Sequence, residues 1–335
     1  MISLKDIAGA CGVSVSTVSQ ILNNKPSNYS SAATRRKVRE AAVKLGYRVN
    51  FGYRLMRGKK TRTVAIIAAQ RHRPQEEHVR DLVISLMLKL ESLEFATHLA
   101  TTGMDDLENI GKIRELLSRG AEHFIFLYLP HNHEGLTGLL DEAGKSWIST
   151  STMMRRHVAV DTLSGLRNLM KMFYQRFGRQ FRYLAPFSGS PPFQEARLQA
   201  LALAIPQLSQ DEILRDHVRQ CPVAGNDENF TENCFHCGYS GMTELLKNEP
   251  DVTAVQCSND AYLIGAAKAA IAAGRIPGHD LHLGGFNGDR AVLNYPYPLA
   301  TGRYNNAELI NLLMQHALDK ENCQIVLSPD IICPV

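Results

Sequence analysis

Small hydroxyl-bearing side chains are concentrated near the N-terminus, around two short segments with helical spacing of apolar residues. Apolar residues recur on one face of residues 4–11 and again on one face of residues 15–22, with Gly12-Val13-Ser14 between them. Small hydroxyl side chains can hydrogen-bond phosphates and let the backbone come close to a nucleic acid. The spacing predicts two helices joined by a tight turn, with the second helix able to enter the major groove of DNA. A helical hairpin without a role in DNA binding is the alternative.

The charge of the chain is unevenly distributed. The 335 residues have a formal charge of +4, but residues 1–62 contain 13 Lys or Arg and two acids, Asp6 and Glu40. These residues therefore carry +11, and the remainder carries −7. A basic segment on an acidic remainder indicates a polyanionic partner for that segment alone. A solvated basic face is the alternative.

The elements that must position this surface follow from the same spacing rules. Residues 23–28 read as a loop, Ser30 or Ser31 begins a third helix that ends at Gly46, and residues 48–62 form a basic linker. After Thr63, short apolar strands alternate with amphipathic helices, which predicts parallel sheets covered on both faces. The predicted strands are 64–69, 95–100, 124–127, 183–185, 254–257 and 281–284. That number of strands favours two α/β subdomains.

Composition excludes several classes of protein. Hydrophobic residues make up 44% and charged residues 21% of the chain, which is ordinary for a globular protein. No stretch approaches the ~18–20 apolar residues of a membrane span, and the N-terminus lacks the apolar core of a signal peptide. We therefore expect a cytoplasmic protein that does not contact the membrane. No catalytic or phosphate-loop motif stands out, so we expect neither enzymatic activity nor a cofactor.

The seven cysteines are too sparse for a disulfide framework, but the Cys234-Phe235-His236-Cys237 segment contains residue types that bind metals. Three interpretations stay open: a zinc site completed by Cys221 or Cys257, a redox pair, or ordinary buried thiols. A second ligand pair at a standard spacing is missing, which favours buried thiols and no metal.

The N-terminal motif resembles that of the LacI/GalR (lactose/galactose repressor) family. The matching residues are Gly-Val-Ser-x-x-Thr-Val-Ser-x-x-Leu-Asn at 12–23, then Ala33-Thr34-Arg35, Val38 and Leu45-Gly46-Tyr47. The resemblance implies that Val15, Ser16 and Gln20 read bases. The family usually has Arg at the last of these positions, and Gln favours adenine where Arg favours guanine. Residues expected to pack the domain or contact phosphates are Ser14, Thr17, Ser19, Asn23, Thr34 and Tyr47.

Residues 49–62 resemble the hinge helix of the family, which folds when two subunits meet on an operator. Asn50 and Arg54 fit the family pattern, and Met56 stands where a leucine wedges into the minor groove, a role that methionine can fill. Val49 replaces the usual proline and Tyr53 a usual alanine. A flexible basic linker is the alternative.

Scattered segments of the remaining chain resemble the ligand-binding core of the family. They imply that Asp161, Arg197 and Asp260 contact an effector, because such side chains supply bidentate hydrogen bonds in a shielded cleft. The family usually has an aromatic segment after the first strand, where this chain has Gln70-Arg71-His72-Arg73-Pro74. The cations expected near strand ends, which could bind a phosphorylated or carboxylate ligand, are Arg71, Arg73, Arg155, Arg156 and Arg303. Exposed arginines outside the cleft are the alternative.

The sequence thus predicts an all-α helix-turn-helix head and an α/β, periplasmic-binding-protein-like core of two doubly wound parallel-sheet subdomains. The expected ranges are 1–48 for the head, 49–62 for the hinge helix or linker and 63–335 for the core. Within the core, the first subdomain is expected at about 63–158 plus 288–318, and the second at about 159–287 plus 319–335.

The expected function is that of a transcription regulator, a repressor, in the bacterial nucleoid. It would bind a palindromic operator in double-stranded DNA as a homodimer and respond to a small molecule. That effector would be a sugar or a phosphorylated or acidic sugar derivative. The alternatives are a sugar-binding protein or enzyme without a regulatory role, and a nucleoid-architecture protein that binds DNA without sequence preference.

Overall fold

The computed structural model describes residues 2–22, 30–47, 60–69, 75–103, 105–129, 133–186, 191–221 and 230–334. The chain divides into two units, Met1–Thr61 (the head) and Arg62–Val335 (the core). Several residues singled out from the sequence lie outside the described residues: Asn23, Asn50, Arg54, Met56, Arg71 and Arg73.

The described residues of the head form three helices, α1 (Leu4–Cys11), α2 (Val15–Leu22) and α3 (Ala32–Lys44). A capping box begins α1, because the Ser3 hydroxyl accepts from the Asp6 N–H and the Asp6 carboxylate accepts from the Ser3 N–H. Gly12 ends α1 at φ +67°, a conformation that glycine adopts without strain. The predicted helices and turn are therefore confirmed, and their apolar faces form one small core of Ile7, Ala8, Cys11, Val18, Ile21, Val38 and Ala42.

In the part of the core that the structure describes, two parallel sheets are present. The first has the strand order β11-β5-β4-β3-β1-β2, and the second has the order β7-β6-β8-β9. The strands of the first sheet are β1 (Thr63–Ala68), β2 (Ala96–Thr101), β3 (His123–Leu127), β4 (Ser146–Ser149), β5 (His157–Val160) and β11 (Gln324–Leu327). Those of the second are β6 (Phe181–Pro186), β7 (Val218–Cys221), β8 (Ala254–Cys257) and β9 (His282–Gly284). A separate antiparallel pair joins β10 (Thr301–Arg303) to β12 (Asp330–Ile332).

Helices cover both faces of each sheet. In β1, Val64 and Ile66 pack towards one apolar cluster, whereas Ala65 and Ile67 pack towards the other, as the two-residue period of a strand requires. The helices around the first sheet are α4 (Glu77–Ser92), α5 (Asp106–Ser118), α6 (Glu134–Glu142) and α13 (Asn306–Ala317). Those around the second are α7 (Thr162–Phe177), α8 (Pro191–Ala204), α9 (Gln210–Asp216), α10 (Phe230–Asn248), α11 (Asp260–Ala272) and α12 (Arg290–Leu293). This is the doubly wound architecture that the sequence predicts. We call the first sheet with its helices the first subdomain, and the second sheet with its helices the second subdomain.

The expected subdomain ranges need two corrections. Strand β11 pairs with β5 in the first sheet, although residues 319–335 were expected in the second subdomain. Val292 and Leu299 pack in the core of the second subdomain, although residues 288–318 were expected in the first. The periodicity of a strand shows that a segment is a strand, but it does not show which sheet the strand joins. The mispredicted ranges are therefore those where the chain crosses from one subdomain to the other.

Two glycines allow α10 and α11 to pack closely. A Cβ atom at Gly238 would lie 2.0 Å from the carbonyl oxygen of Tyr262, and a Cβ atom at Gly265 would lie 2.0 Å from that of Phe235. Both neighbours are backbone atoms, so no side-chain rotation could make room. The first turn of each helix lines the smaller of the two cavities described below.

Candidate functional site

The second helix of the head presents one polar face to solvent. Val15, Ser16 and Gln20 are exposed, whereas Val18 and Ile21 are buried in the core of the head. Val15 is an apolar side chain of this face, with 44% of its surface exposed. The three side chains expected to read bases therefore lie on the surface that a DNA groove could contact.

The hydroxyl groups near this face begin helices. Ser14 Oγ accepts a hydrogen bond from the Thr17 N–H at 3.1 Å and lies 2.7 Å from Ser16 Oγ, so it caps α2. Ser31 caps α3 in the same way, accepting from the Thr34 N–H at 3.1 Å. Ser19 is half-buried, and Tyr47 packs against the core of the head. The cations of α3 that are exposed are Arg36, Lys37, Arg39 and Lys44.

A cleft of about 660 Å³ lies in the core at the carboxyl ends of strands from both sheets. Tyr128 follows β3, Thr150 follows β4, Asp161 follows β5 and Asn287 follows β9, and all four line the cleft. Open α/β sheets place ligands at this edge, because the carboxyl ends of parallel strands meet there. The cleft is therefore the main candidate ligand site among the described residues.

Two of the predicted effector-binding residues meet in this cleft. Asp161 caps α7, accepting at Oδ1 from the Ser164 N–H at 2.9 Å. Arg197 lies on α8 and donates from Nε to the carbonyl oxygen of Ser258 at 2.9 Å. Each is held in position by a hydrogen bond to the backbone, and both line the cleft.

Asp260 does not line the same cleft. It lines a second cavity of about 240 Å³, which shares Glu76 and Asn287 with the cleft and which we call the side pocket. Its side chain is fully buried, and it accepts from Thr301 Oγ1 at 2.8 Å and from the Asp289 N–H at 2.8 Å. Burial raises the pKa of Asp260 to about 7, although these hydrogen bonds oppose the rise.

Three rings that were not predicted from the sequence contribute to the cleft. His78 stacks on Tyr304 with ring centres 5.0 Å apart, and Tyr128 meets His78 edge-on at 5.5 Å. The aromatic segment that the family usually has after its first strand is thus not needed to supply rings to this site. Tyr128 could have been found from the sequence, because it directly follows a predicted strand.

Backbone conformations that are rare for side chains other than glycine also occur at the cleft. Tyr128 has φ +57° and Asn287 has φ +143°. The Tyr128 N–H donates to Thr150 Oγ1 at 2.8 Å, which helps to fix this conformation. Such conformations cost about 1–3 kcal/mol each and are concentrated at functional sites.

The other cations proposed for an anionic ligand lie elsewhere. Arg155 pairs with Asp141, Arg156 pairs with Asp319 at 2.9 Å, and Arg303 pairs with Asp330 at 3.0 Å. None of these arginines lines the cleft or the side pocket. Their positions favour the alternative interpretation, arginines outside the cleft. Each side chain instead satisfies a nearby carboxylate, which single-sequence spacing does not reveal.

Cys234 and Cys237 lie on α10 and are buried. Burial raises the pKa of the Cys234 thiol to about 12, so it stays protonated and is a poor metal ligand or nucleophile. Among the described residues, no group of three or more metal-ligating side chains is assembled. These features favour the buried-thiol interpretation. The described helices also include none that is long and apolar enough to cross a membrane.

Residues 3–50 match the family described as "Bacterial regulatory proteins, lacI family". The regulator CelR of Thermobifida fusca is 26% identical over 94% of this chain and 90% of its own. The regulator GalR of Escherichia coli is 28% identical over 91% of this chain and 84% of its own.

Solved structures share the fold over nearly the whole chain. The lac repressor dimer bound to operator and the anti-inducer ONPF has a TM-score of 0.77 at 18% identity, covering 99% of this chain and 97% of that one. A CelR–cellobiose complex has a TM-score of 0.62 at 22% identity and covers 99% and 98% of the two chains. With residues 3–50 matching the lacI family model and two regulators similar across both units, the chain is a DNA-binding transcription regulator that is similar to proteins of the LacI/GalR family.

Proposed function

We propose that this regulator binds an inverted-repeat operator as a homodimer and that a sugar-like effector in the cleft controls this binding. The observation that carries the proposal is the exposed polar face of α2, with Val15, Ser16 and Gln20 clear of the packed core of the head. The match to a lac repressor dimer bound to operator supports the same assembly for this chain. Two identical recognition helices related by a two-fold axis would require inverted half-sites.

A candidate dimer surface lies on the first subdomain. Ile84 and Leu88 are one helical turn apart on α4 and are 49% and 60% exposed, and Leu99 on the edge strand β2 is 50% exposed. Exposed apolar side chains on adjacent elements favour contact with another protein surface. We therefore propose that α4 and β2 contribute to the interface between two copies.

The effector proposal rests on the contents of the cleft. Asp161 and Arg197 supply acceptors and donors suited to hydroxyl groups, and the rings of Tyr128 and Tyr304 supply flat apolar surface. Cellobiose in the related CelR structure supports a carbohydrate here as well. We propose that Asp260 acts from the side pocket by positioning Asp289 and the start of α11, and that Arg71 and Arg73 remain candidate contacts.

We propose no enzymatic activity, because the relatives are named as regulators and no catalytic constellation was found in the sequence. As a DNA-binding regulator, the protein would act in the cytoplasm at the nucleoid. A sugar-binding protein or enzyme without regulatory function would lack specific DNA affinity, so the DNA-binding experiment separates the alternatives.

The test is selection from random DNA with the full chain, followed by operator titration with and without a panel of sugars. An inverted repeat, with affinity that falls steeply as salt rises, is the expected result. Leu88→Lys should lower both dimer content in sedimentation and operator affinity. Leu107→Lys, on α5 at a residue 77% exposed, is the matched control and should change neither. Recovery of unrelated single half-sites would contradict the dimer.

A further inference from the structure

The side pocket lies between the two subdomains. Glu77 and Arg80 of α4 line it from the first subdomain, and Thr231 of α10 and Ala291 of α12 line it from the second. Because a cavity of about 240 Å³ is present here, tightly packed side chains do not join the subdomains at this place. Units joined by a loosely packed boundary can move relative to each other, so polar bonds that cross the boundary help to fix their arrangement.

Several polar bonds between the subdomains meet at Arg290, the first residue of α12. Its Nη2 lies 3.1 Å from Asp81 Oδ2, and its Nε lies 3.8 Å from Glu77 Oε1. The Arg290 backbone N–H also donates to Glu77 Oε1, at 3.2 Å. At the same pocket, Thr231 Oγ1 donates to the carbonyl oxygen of Gln75 at 3.4 Å. We call the contact of Arg290 with Glu77 and Asp81 the Arg290 clasp.

The geometry of α4 explains why both carboxylates reach one arginine. Glu77 and Asp81 are four residues apart on this helix and therefore lie on the same face. The Arg290 side chain is 75% exposed, so water screens the contact and keeps it weak. A weak contact of this kind can favour one arrangement of the subdomains without preventing the other.

We propose that the Arg290 clasp holds the two subdomains in the arrangement of this structure and thereby sets the affinity for the operator before an effector binds. This inference rests on the proposed function, because it assigns a regulatory contact to the same ligand-controlled core. Allosteric control needs two arrangements with different operator affinity, and a contact made in only one of them shifts the balance. The clasp is such a contact, because Glu77 and Asp81 belong to one subdomain and Arg290 belongs to the other.

The test measures distances between the subdomains in the full chain. A ketone-bearing amino acid that carries a spin label replaces Leu107 on α5 and Lys247 on α10, both of which are exposed, so the native cysteines stay unlabelled. Labelled chains are diluted with unlabelled protein, so that the distances from double electron–electron resonance are those within one chain. The wild type should show one dominant distance.

Charge reversal should release the clasp. Arg290→Glu places a third carboxylate beside Glu77 and Asp81, so a second distance should appear in at least about a tenth of the molecules. The double variant Arg290→Glu with Asp81→Arg restores an opposite pair across the boundary and should restore the wild-type distance. Arg119→Glu is the matched control, because Arg119 pairs with Glu115 inside the first subdomain, and it should leave the distance unchanged. A wild-type distribution in the folded Arg290→Glu protein would overturn the proposal.

The dependence on salt separates charge from a change of shape. Salt screens the attraction in the wild type, so the second distance should be more populated at about 0.5 M salt than at about 0.05 M. In Arg290→Glu, salt screens repulsion instead, so the second distance should become less populated as salt rises. The same trend in both proteins would overturn the proposal.

Operator binding gives the functional readout. Arg290→Glu should change the affinity for the inverted repeat selected by the wild type at least about threefold, the scale of one partly exposed ion pair. Arg119→Glu makes the same change in net charge and should alter this affinity less than the Arg290 variant does. An unchanged operator affinity in Arg290→Glu would overturn the proposal. If selection returns no inverted repeat, the proposed function fails, whereas the distance measurements still decide whether the clasp holds the subdomains.

Discussion

The close packing of α10 against α11 allows the cost of a single methyl group to be worked out. In Gly265→Ala, the new Cβ would lie 2.0 Å from the Phe235 carbonyl oxygen, where ordinary contact begins at 3.4 Å. The helices would have to separate by more than about 1 Å, and overpacking of this kind costs about 3 kcal/mol when the neighbour is rigid backbone. The higher helix propensity of alanine offsets about 1 kcal/mol of this cost, so we expect the free energy of unfolding to fall by about 2 kcal/mol.

For a core of this size, that loss corresponds to a fall in Tm of roughly 4–8 °C. Thermal and denaturant unfolding of the full chain would measure it. Gly138→Ala is the matched control, because Gly138 is also helical and a Cβ there would have nothing within 4 Å. It should be neutral or more stable by up to about 1 kcal/mol. Equal stability of Gly265→Ala and Gly138→Ala would show that the close contact between α10 and α11 does not limit the size of the side chain at residue 265.

Three further predictions concern the head, the cleft and the side pocket. Gln20→Ala should lower the binding free energy that discriminates between bases by about 1–3 kcal/mol at one base pair per half-site, and it should relax the base preference there. An unchanged motif after selection from random DNA would show that Gln20 does not read a base. Arg197→Ala should abolish the response of operator binding to the effector while leaving binding without effector intact; loss of binding in both conditions would instead assign Arg197 a structural role through its bond to Ser258. Folding raises the pKa of Asp289 to about 8, so the folded protein binds more protons than the unfolded protein between about pH 4 and pH 8. The free energy of unfolding should therefore fall as pH rises through this range. The slope should reach up to about 1.4 kcal/mol per pH unit for each extra proton. Asp289→Asn should flatten this slope, whereas Asp251→Asn, at an exposed position, should leave it unchanged; equal slopes in all three proteins would contradict the assignment.

The three helices of the head that the structure describes could be predicted because their signals are local. Ser3, Gly12, Ser14 and Ser31 begin or end helices through contacts with residues at most four positions away. The apolar spacing between these residues then fixes which faces are buried. Exposure of Val15, Ser16 and Gln20 follows from that spacing alone.

Most strands of the core were predicted where their residues are apolar and buried on both faces, although the partly buried edge strand β2 was predicted as well. Strands β1, β3 and β8 are of this kind. In contrast, β4 contains two serines and β11 lies at an edge with alternate residues exposed, so neither has a long apolar run. A strand whose burial comes from its neighbours in the sheet cannot be recognised from its own residues.

The site was predicted in part, and the errors have one cause. Asp161 and Arg197 were found because they match local motifs at a strand end and a helix start. The separation of Asp260 into the side pocket depends on Thr301 and Asp289, which are 41 and 29 residues away along the chain. Partners at such distances are brought together only by the fold, and the same holds for the carboxylates that pair with Arg156 and Arg303.

The return of β11 to the first sheet bears on how the protein is made. The chain leaves the first subdomain after β5, builds the second, returns for α13 and β11, and crosses once more to β12. During translation, the β5 edge of the first sheet therefore stays unpaired until residues 324–327 have been synthesised. Neither half of the core can be completed during most of translation, and long-range pairing of this kind slows folding. Truncation a few residues before β11 should consequently leave both halves unable to close, rather than removing a dispensable tail.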